Sequence, residues 1–218
     1  GASWLTVRRC RMTDTRMGLY SYSENSTNWY IADNVIIGRN EAWYPRKEGP
    51  SHTGINFYGR GHVVCYNRIS DFWDCIAIAN YGKPAHDLEL QAVAIDIYGN
   101  DLSEAIDDAI ESDYGCPNIR IYENRIRNAH TALSAQPTYG GPIYFIRNVA
   151  YGITSLNLKL HNWCAGLEIY HNTLVSARIG FRSYYRWQNA SLLNNLILGR
   201  SGYAVDTGSH HPRVVLDH

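Results

Sequence analysis

The chain has 218 residues, of which 45% are hydrophobic and 18% are charged, and its 20 basic residues balance 20 acidic ones. This balance excludes the strongly basic field by which many proteins attract nucleic acid, so we expect no nucleic-acid partner. No run is long and apolar enough for a transmembrane helix, and no charged leader with an apolar core stands at the N-terminus. We therefore expect a soluble, compact protein with no membrane partner.

A repeated unit organises the chain from its first strand to its last. Each unit carries an Asn that is followed two residues later by an aliphatic residue and preceded by apolar residues five and three positions earlier. These residues are Asn34, Asn67, Asn100, Asn124, Asn148, Asn172 and Asn195, which lie 33, 33, 24, 24, 24 and 23 residues apart, and Cys10 stands one period of 24 before the first. A period of that size predicts a solenoid, because units this short bury their apolar faces only by stacking.

Three short strand-like runs fill each unit, and in each run apolar and polar residues alternate with the period of two that a half-buried strand shows. The residues predicted to point inward before each repeated Asn are Trp29/Ile31, His62/Val64, Ile95/Ile97, Ile119/Ile121, Ile143/Phe145, Leu167/Ile169 and Ala190/Leu192. Only His62 and Ala190 depart from large apolar side chains. The pattern therefore predicts one continuous core along the whole chain.

Three short strands in units of about 24 residues, with a recurrent turn Asn, resemble the right-handed parallel β-helix of the pectin-lyase-like superfamily, in its bacterial polysaccharide-processing branch. The resemblance implies an all-β, right-handed, single-stranded parallel β-helix over residues 1–218, with about eight rungs and an Asn ladder. It also implies a polysaccharide partner and a secreted or periplasmic location.

The two ends of the sequence show strand-like residues and no capping helix, at residues 1–7 and 213–218. Bare strand edges invite association, and solenoids usually cover their terminal rungs. We therefore expect either a longer parent chain that continues beyond this segment or end-to-end self-association.

The cysteine pattern predicts free thiols. Five Cys residues, an odd number, are dispersed along the chain. Cys116 and Cys164 fall at corresponding turns two rungs apart, which is about 10 Å and too far for an unstrained disulfide. Cysteine usage therefore leaves the cellular compartment open.

The resemblance assigns the third run of each unit to the face that carries active sites. Strand alternation directs the third and fifth residues of each run outward. The first predicted outward column is Tyr20, Asn56, Ala77, Glu111, Ser134, Lys159, Arg182 and Asp206. The second is Tyr22, Tyr58, Ala79, Asp113, Gln136, His161, Tyr184 and Gly208.

The two longer units place their extra residues, 38–53 and 80–91, on either side of this face. Long loops that flank one sheet predict a walled groove, in which aromatic and amide side chains would bind sugars. The predicted substrate-binding residues are Tyr20, Tyr22, Trp43, Tyr44, Asn56, Tyr58, Gln136, His161 and Tyr184.

Four carboxylates, Asp107, Asp108, Glu111 and Asp113, lie within seven residues on this face. Carboxylates this close raise at least one pKa or need a cation, and a hydrolase uses one protonated and one ionised carboxylate. With His130, which follows Asp108 by 22 residues, the run is similar in part to polygalacturonase-like glycoside hydrolases, although their Gly-His-Gly and Arg-Ile-Lys motifs are absent. We interpret these five residues as catalytic candidates for hydrolysis, which requires no cofactor.

Elimination is the alternative reaction. Lys159 lies two rungs beyond the acidic run, about 10 Å away, and Arg182 lies one rung further. This layout resembles calcium-dependent polysaccharide lyases of the same superfamily, in which Glu111 and Asp113 would hold Ca²⁺ and Lys159 or Arg182 would be the base. Hydrolysis ranks first because a Lys with a pKa of ~10.4 is a poor base at neutral pH. A non-catalytic glycan-binding or structural β-helix is a third alternative.

Overall fold

In the computed structural model the chain winds into a coil of short strands with about eight turns. The structure describes residues 1–39, 52–78, 87, 90–207 and 214–217, with the side chains of residues 214 and 216 excepted. Within these ranges the backbone forms strands and turns and contains no α-helix. The predicted all-β parallel solenoid is confirmed.

Three parallel sheets run along the axis of the coil, and successive strands of the chain join successive sheets. Sheet 1 contains β1 (Thr6–Arg8), β4 (Tyr30–Ala32), β7 (Val63–Cys65), β10 (Ile95–Tyr98), β13 (Ile119–Tyr122), β16 (Ile143–Ile146), β19 (Ala165–Tyr170), β22 (Gln188–Leu193) and β25 (Val214–Asp217). Sheet 2 contains β2 (Arg11–Thr15), β5 (Val35–Gly38), β8 (Arg68–Phe72), β11 (Asp101–Ala105), β14 (Arg125–Arg127), β17 (Val149–Ile153), β20 (Thr173–Ser176) and β23 (Leu196–Gly199). Sheet 3 contains β3 (Leu19–Ser21), β6 (Thr53–Phe57), β9 (Asp74–Ala77), β12 (Asp108–Glu111), β15 (Thr131–Ser134), β18 (Leu156–Lys159), β21 (Ile179–Ser183) and β24 (Val205–Thr207).

Equivalent residues of successive turns lie side by side. In sheet 1, Ile95 pairs with Ile119, and Ile119 pairs with Ile143. A slip of one residue would turn every inward side chain outward, so the apolar pattern fixes this register. All the predicted inward pairs are buried, with exposures of at most the 5% of Trp29.

His62, the polar residue in the inward set, is satisfied inside the core. Its Nδ1 accepts a hydrogen bond from the Trp29 N–H at 3.1 Å, and its Nε2 lies 3.1 Å from the Tyr58 carbonyl oxygen. Since Nδ1 accepts, Nε2 carries the proton and donates. Burial lowers the pKa of His62 to about 4, so the ring is neutral at physiological pH.

The predicted Asn ladder forms along the corner between sheets 1 and 2. Nδ2 of Asn124 donates to Oδ1 of Asn148 at 3.0 Å and to the Ile97 carbonyl at 2.9 Å. The same bonds recur from Asn34 to Asn195, and the Cys10 N–H donates to Oδ1 of Asn34 at 3.0 Å. Each side-chain amide thus satisfies backbone groups that the corner would leave unpaired.

The residue before each ladder Asn adopts the left-handed conformation. Its φ lies between 53° and 64° at Asp33, Tyr66, Gly99, Glu123, Arg147, His171 and Asn194. This single left-handed residue turns the chain sharply between two strands. The corner therefore repeats in backbone conformation as well as in hydrogen bonding.

All five cysteines are free thiols, as the sequence predicted. In the part of the chain that the structure describes, no helix is long and apolar enough to cross a membrane.

Candidate active site

Sheet 3 brings the first predicted outward column into register. Tyr20 pairs with Asn56, Glu111 pairs with both Ala77 and Ser134, and Lys159 pairs with both Ser134 and Arg182, so the predicted order is confirmed from Tyr20 to Asp206. The middle of the column is closed to solvent, because Asn56, Ala77, Glu111 and Ser134 are all buried. The side chains at these four rungs are therefore not exposed to solvent, and the exposed residues of the face lie elsewhere along it.

Three carboxylates converge at the start of strands β9 and β12. One oxygen each of Asp74, Asp107 and Asp108 lie within 4.8 Å of one another. Asp74 and Asp108 are buried, whereas 31% of the Asp107 side chain is exposed. The backbone N–H of Asp108 donates to Oδ1 of Asp74 at 3.1 Å, which fixes the two strands against each other. We call Asp74, Asp107 and Asp108 the acid cluster.

Lys159 completes this cluster from two strands away. Its Nζ lies 2.5 Å from Oδ2 of Asp108 and 3.7 Å from Oδ1 of Asp107. The predicted space between the acidic run and Lys159 is therefore occupied by the Lys159 side chain itself. Burial disfavours the ammonium, but Asp108 and Asp107 outweigh burial and raise the pKa of Lys159 above its usual value.

Asp74 and Asp108 hold protons more tightly than isolated carboxyl groups do. Burial raises the pKa of Asp108 to about 7, against the opposing effect of Lys159 and with a further increase from Asp107. Burial, reinforced by Glu111 and Asp108, raises the pKa of Asp74 well above its usual value. A proton donor for chemistry near pH 7 is thus available at Asp108.

Several oxygens around the acid cluster have no hydrogen-bond partner among the described residues. They are Oδ1 of Asp108 and the hydroxyls of Thr53 and Thr131, which are all buried. Thr53 pairs with Asp74, and Thr131 pairs with Asp108, so the two hydroxyls flank the cluster along sheet 3. Polar atoms left unpaired in this way are costly and are typical of functional sites.

The predicted metal ligands Glu111 and Asp113 do not belong to the group of converging oxygens. Asp113 is buried, and its Oδ1 accepts hydrogen bonds from the Ser134 hydroxyl at 2.7 Å and from the Gln136 N–H at 2.8 Å. Burial and the neighbouring Glu111 and Asp108 raise the pKa of Asp113. Of the described carboxylates, those of the acid cluster have the oxygen geometry for a divalent cation.

Two residues predicted to bind substrate are not on the surface. Tyr58 packs in the hydrophobic core and Asn56 is buried, so neither presents a face to a ligand. Tyr58 follows the last residue of β6, Phe57, and beyond the strand end alternation no longer decides where a side chain points. Trp43 and Tyr44 lie outside the described residues.

Of the remaining predicted residues, Tyr20, Tyr22, Arg182 and Tyr184 lie toward the two ends of the face, and His130 and Gln136 flank β15 near its middle. Tyr20 and Tyr22 are exposed at its start, with ring centroids 4.6 Å apart. At the other end the Arg182 Nε lies 2.8 Å from Oδ2 of Asp206, and its guanidinium lies over the ring of Tyr184. His130 is exposed in the turn before β15, where its Nδ1 lies 3.5 Å from the Thr154 hydroxyl.

His161 contacts the exposed ring of Tyr184, with centroids 4.4 Å apart. Burial and the charges of Lys159 and Arg182 lower the pKa of His161 to about 4. The imidazole is therefore neutral at physiological pH and adds no positive charge beside Lys159.

Sequence reasoning missed Asp74 as a member of the site. The available signal was the shared spacing in Asp74-Cys75-Ile76 and Asp108-Ala109-Ile110, which places both Asp residues at the same point of successive rungs. Comparison of the chain with protein-family models, with curated proteins and with solved structures finds no match.

Proposed function

We propose that this chain is a glycoside hydrolase that cleaves a polysaccharide along sheet 3, in keeping with its resemblance to polysaccharide-processing β-helices of the pectin-lyase-like superfamily. The observation that carries the proposal is the convergence of Asp74, Asp107 and Asp108 within 4.8 Å. Hydrolysis of a glycosidic bond needs a carboxylic acid and a carboxylate close together with different proton affinities.

The two roles fall on the neighbouring side chains of Asp107 and Asp108. With a pKa of about 7, Asp108 can hold and release a proton near neutral pH, and its Oδ1 has no competing partner among the described residues, so it is the general acid toward the glycosidic oxygen. Asp107 is the member of the acid cluster that solvent reaches, and its oxygen lies too close to Asp108 to leave room for an attacking water, so it is the nucleophile. The leaving oxygen gains one proton and the water loses one, so the charge of the cluster is unchanged after a turnover.

Lys159 supports this division of roles. Its ammonium lies at Oδ2 of Asp108, where it limits the rise in the pKa of Asp108 that burial alone would cause. A pKa near the working pH gives the most effective general acid. Lys159 thus tunes the proton donor instead of acting as a base.

Calcium-dependent elimination is the second candidate, and the oxygen geometry of the acid cluster favours it. Carboxylate oxygens are the ligands that Ca²⁺ prefers, so Asp74, Asp107 and Asp108 could hold the ion, which would neutralise a uronate carboxylate. Elimination also needs a base, but the ion pair with Asp108 raises the pKa of Lys159, and Arg182 is paired with Asp206. Hydrolysis is therefore the better supported reaction.

A polysaccharide substrate of this kind fits a secreted or periplasmic protein, and we include that location in the proposal.

The test is a panel of neutral and uronate polysaccharides incubated with the protein, with and without EDTA. Hydrolysis predicts new reducing ends with no ultraviolet absorbance from unsaturated products, and activity that EDTA leaves intact. Absorbance that depends on Ca²⁺ would replace hydrolysis by elimination. Absence of cleavage across the panel, with binding retained, would favour a non-catalytic glycan-binding protein.

A further inference from the structure

Two exposed aromatic rings stack on each other at the edge of sheet 3. Trp163 lies in the turn after β18 and Tyr185 in the turn after β21, which are neighbouring rungs. Their ring centroids are 6.4 Å apart and their planes differ by 12°, so the rings are stacked, and the two residues are 60% and 53% exposed. Large rings usually bury most of their surface, so a stacked pair that stays this exposed on adjacent turns leaves apolar ring area accessible to a ligand.

The turn that carries Trp163 is anchored by the buried Cys164. The buried Sγ of Cys164 lies 2.6 Å from the Ala135 carbonyl oxygen and 3.1 Å from the His161 carbonyl oxygen. The Gln188 N–H donates to the Cys164 carbonyl at 3.0 Å, which ties the turn to the next rung. The ring of Trp163 therefore projects from a fixed backbone.

The backbone of this turn is also strained. Asn162 and Trp163 both adopt positive φ, of 56° and 68°. This region is uncommon for residues other than Gly and unusual for a bulky side chain such as Trp. Strain of this kind persists where the surroundings enforce it and concentrates at ligand sites. The same conformation occurs at other exposed aromatic residues of the turns, such as Trp4 and Tyr66, and here it places Trp163 at the surface.

Tyr185 is positioned by comparable contacts. The Ser183 hydroxyl donates to the Tyr185 carbonyl at 3.2 Å, and Trp187, two residues further, is buried with its ring 5.8 Å from that of Phe181. One aromatic side chain thus anchors the turn in the core, and the other remains outside. The two exposed rings are held in their mutual arrangement by separate turns.

The charges beside the rings indicate which sugars would fit. Lys159 and Arg182, the cations of the adjacent strands, are paired with Asp108 and Asp206. A uronate needs a cation that is available, whereas a neutral sugar needs a ring face and hydrogen bonds. Arg186 is exposed directly after Tyr185, so a uronate polymer is the competing ligand to test.

We propose that the Trp163–Tyr185 pair is a sugar-stacking platform that binds a neutral polysaccharide two to three rungs, or about 10–15 Å along the axis of the coil, from the strand that carries Asp108. The pair would hold the polysaccharide while the acid cluster cleaves it. The orientation of the bound polysaccharide therefore rests on the proposed hydrolysis. Binding itself does not depend on catalysis. The substrate class that we propose is therefore an uncharged polymer of pyranose units.

The experiment measures affinity for soluble xylan, mixed-linkage β-glucan, galactomannan and polygalacturonate by electrophoresis in gels that contain each polymer. Wild-type protein is compared with Trp163→Ala, Trp163→Phe and Tyr185→Ala. Trp4→Ala is the matched control, because Trp4 is also exposed, at 79%, and also has a positive φ, of 61°. Thermal unfolding of each variant confirms that the fold is retained.

We expect binding to at least one neutral polymer, a loss of about 10-fold or more in Trp163→Ala and Tyr185→Ala, partial recovery in Trp163→Phe, and no change in Trp4→Ala. Unchanged affinity in both alanine variants would overturn the platform, as would no binding to any neutral polymer or stronger binding to polygalacturonate. Asp108→Asn separates the two proposals, since it should keep binding while it loses cleavage. If no polymer is cleaved but Trp163→Ala still weakens binding, the platform stands and the hydrolase proposal fails.

Discussion

Nζ of Lys159 lies 2.5 Å from Oδ2 of Asp108, although the two residues are 51 positions apart in the chain and strand β15 separates their strands. The extended Lys side chain crosses two rungs to reach the carboxylate. The contact joins the residue predicted as a base of elimination to the acid predicted for hydrolysis. This ion pair favours hydrolysis over elimination. Asp108 raises the pKa of Lys159, which makes Lys159 a poorer base, and Lys159 limits the rise in the pKa of Asp108.

Replacing Lys159 should shift the pH dependence of cleavage rather than abolish cleavage. Removal of the ammonium in Lys159→Met leaves burial and Asp107 acting on Asp108, so the pKa of Asp108 rises above about 7. The acid then stays protonated to higher pH. We expect the alkaline limb of the kcat/KM profile to move upward by about one pH unit or more.

Lys159→Arg is the matched control, since it keeps the positive charge and should keep the alkaline limb close to that of the wild type. Complete loss of activity in both variants at every pH would instead identify Lys159 as the base and support elimination.

Neutralising Asp74 should stabilise the protein above neutral pH. The folded-state pKa of Asp74 is raised, so the folded chain binds a proton more tightly than the unfolded chain, and the ionised carboxylate lowers stability as pH rises. Asp74→Asn removes the charge and keeps the oxygen that accepts the Asp108 N–H. We expect a higher Tm than the wild type at pH 8, with ~2–4 °C for each kcal/mol recovered.

The advantage of Asp74→Asn should shrink as the pH falls and vanish below pH ~4, the usual pKa of an unfolded Asp, where the wild-type carboxyl is protonated in both states. Thermal unfolding from about pH 3 to 8 measures this. A variant less stable than the wild type at pH 8 would show that the charge of Asp74 stabilises the fold, and the acid cluster would then be structural. Activity should fall in the same variant, as expected where stability is given up for function.

The Asn ladder should be the most sensitive polar feature of the fold. Asn124→Ala removes the donor to the Ile97 carbonyl and the acceptor for the Asn100 N–H, both inside the corner. Leaving these groups unpaired costs roughly 1–3 kcal/mol for each site. Urea unfolding should show this loss for Asn124→Ala and a smaller change for Asn25→Ala, which alters an exposed Asn outside the ladder and, like Asn124, one without a positive φ. Equal stability of the two variants would contradict a stabilising ladder.

Much of the fold followed from the sequence because its determinants are local and repeat. The ladder Asn and the inward pair before it lie within six residues, so each unit specifies its own corner and register. The same reasoning placed Glu111 beside Ser134, and Ser134 beside Lys159, through strand alternation and the repeat alone.

The candidate site followed less well, for two physical reasons. Positions such as Tyr58 and Asp113 come after the strand ends at Phe57 and Glu111, and there the turn decides the side-chain direction. Counting rungs gives the separation of two strands but not the reach of a side chain. The Lys159 side chain is long enough to reach Asp108 two rungs away. Asp74 lies in the acid cluster because its Oδ1 accepts a hydrogen bond from the Asp108 N–H of the next rung, and this contact depends on how the two rungs are aligned.

The measurement that tests the central claim most directly is the turnover of Asp108→Asn on the best polysaccharide of the panel, at pH 7 and with stability recorded in parallel. If Asp108 donates the proton to the glycosidic oxygen, kcat should fall by roughly 10²–10⁴-fold, the usual contribution of a positioned general acid, while the protein stays folded. Turnover within about 10-fold of the wild type in a folded Asp108→Asn protein would contradict the assignment of the acid cluster as the active site.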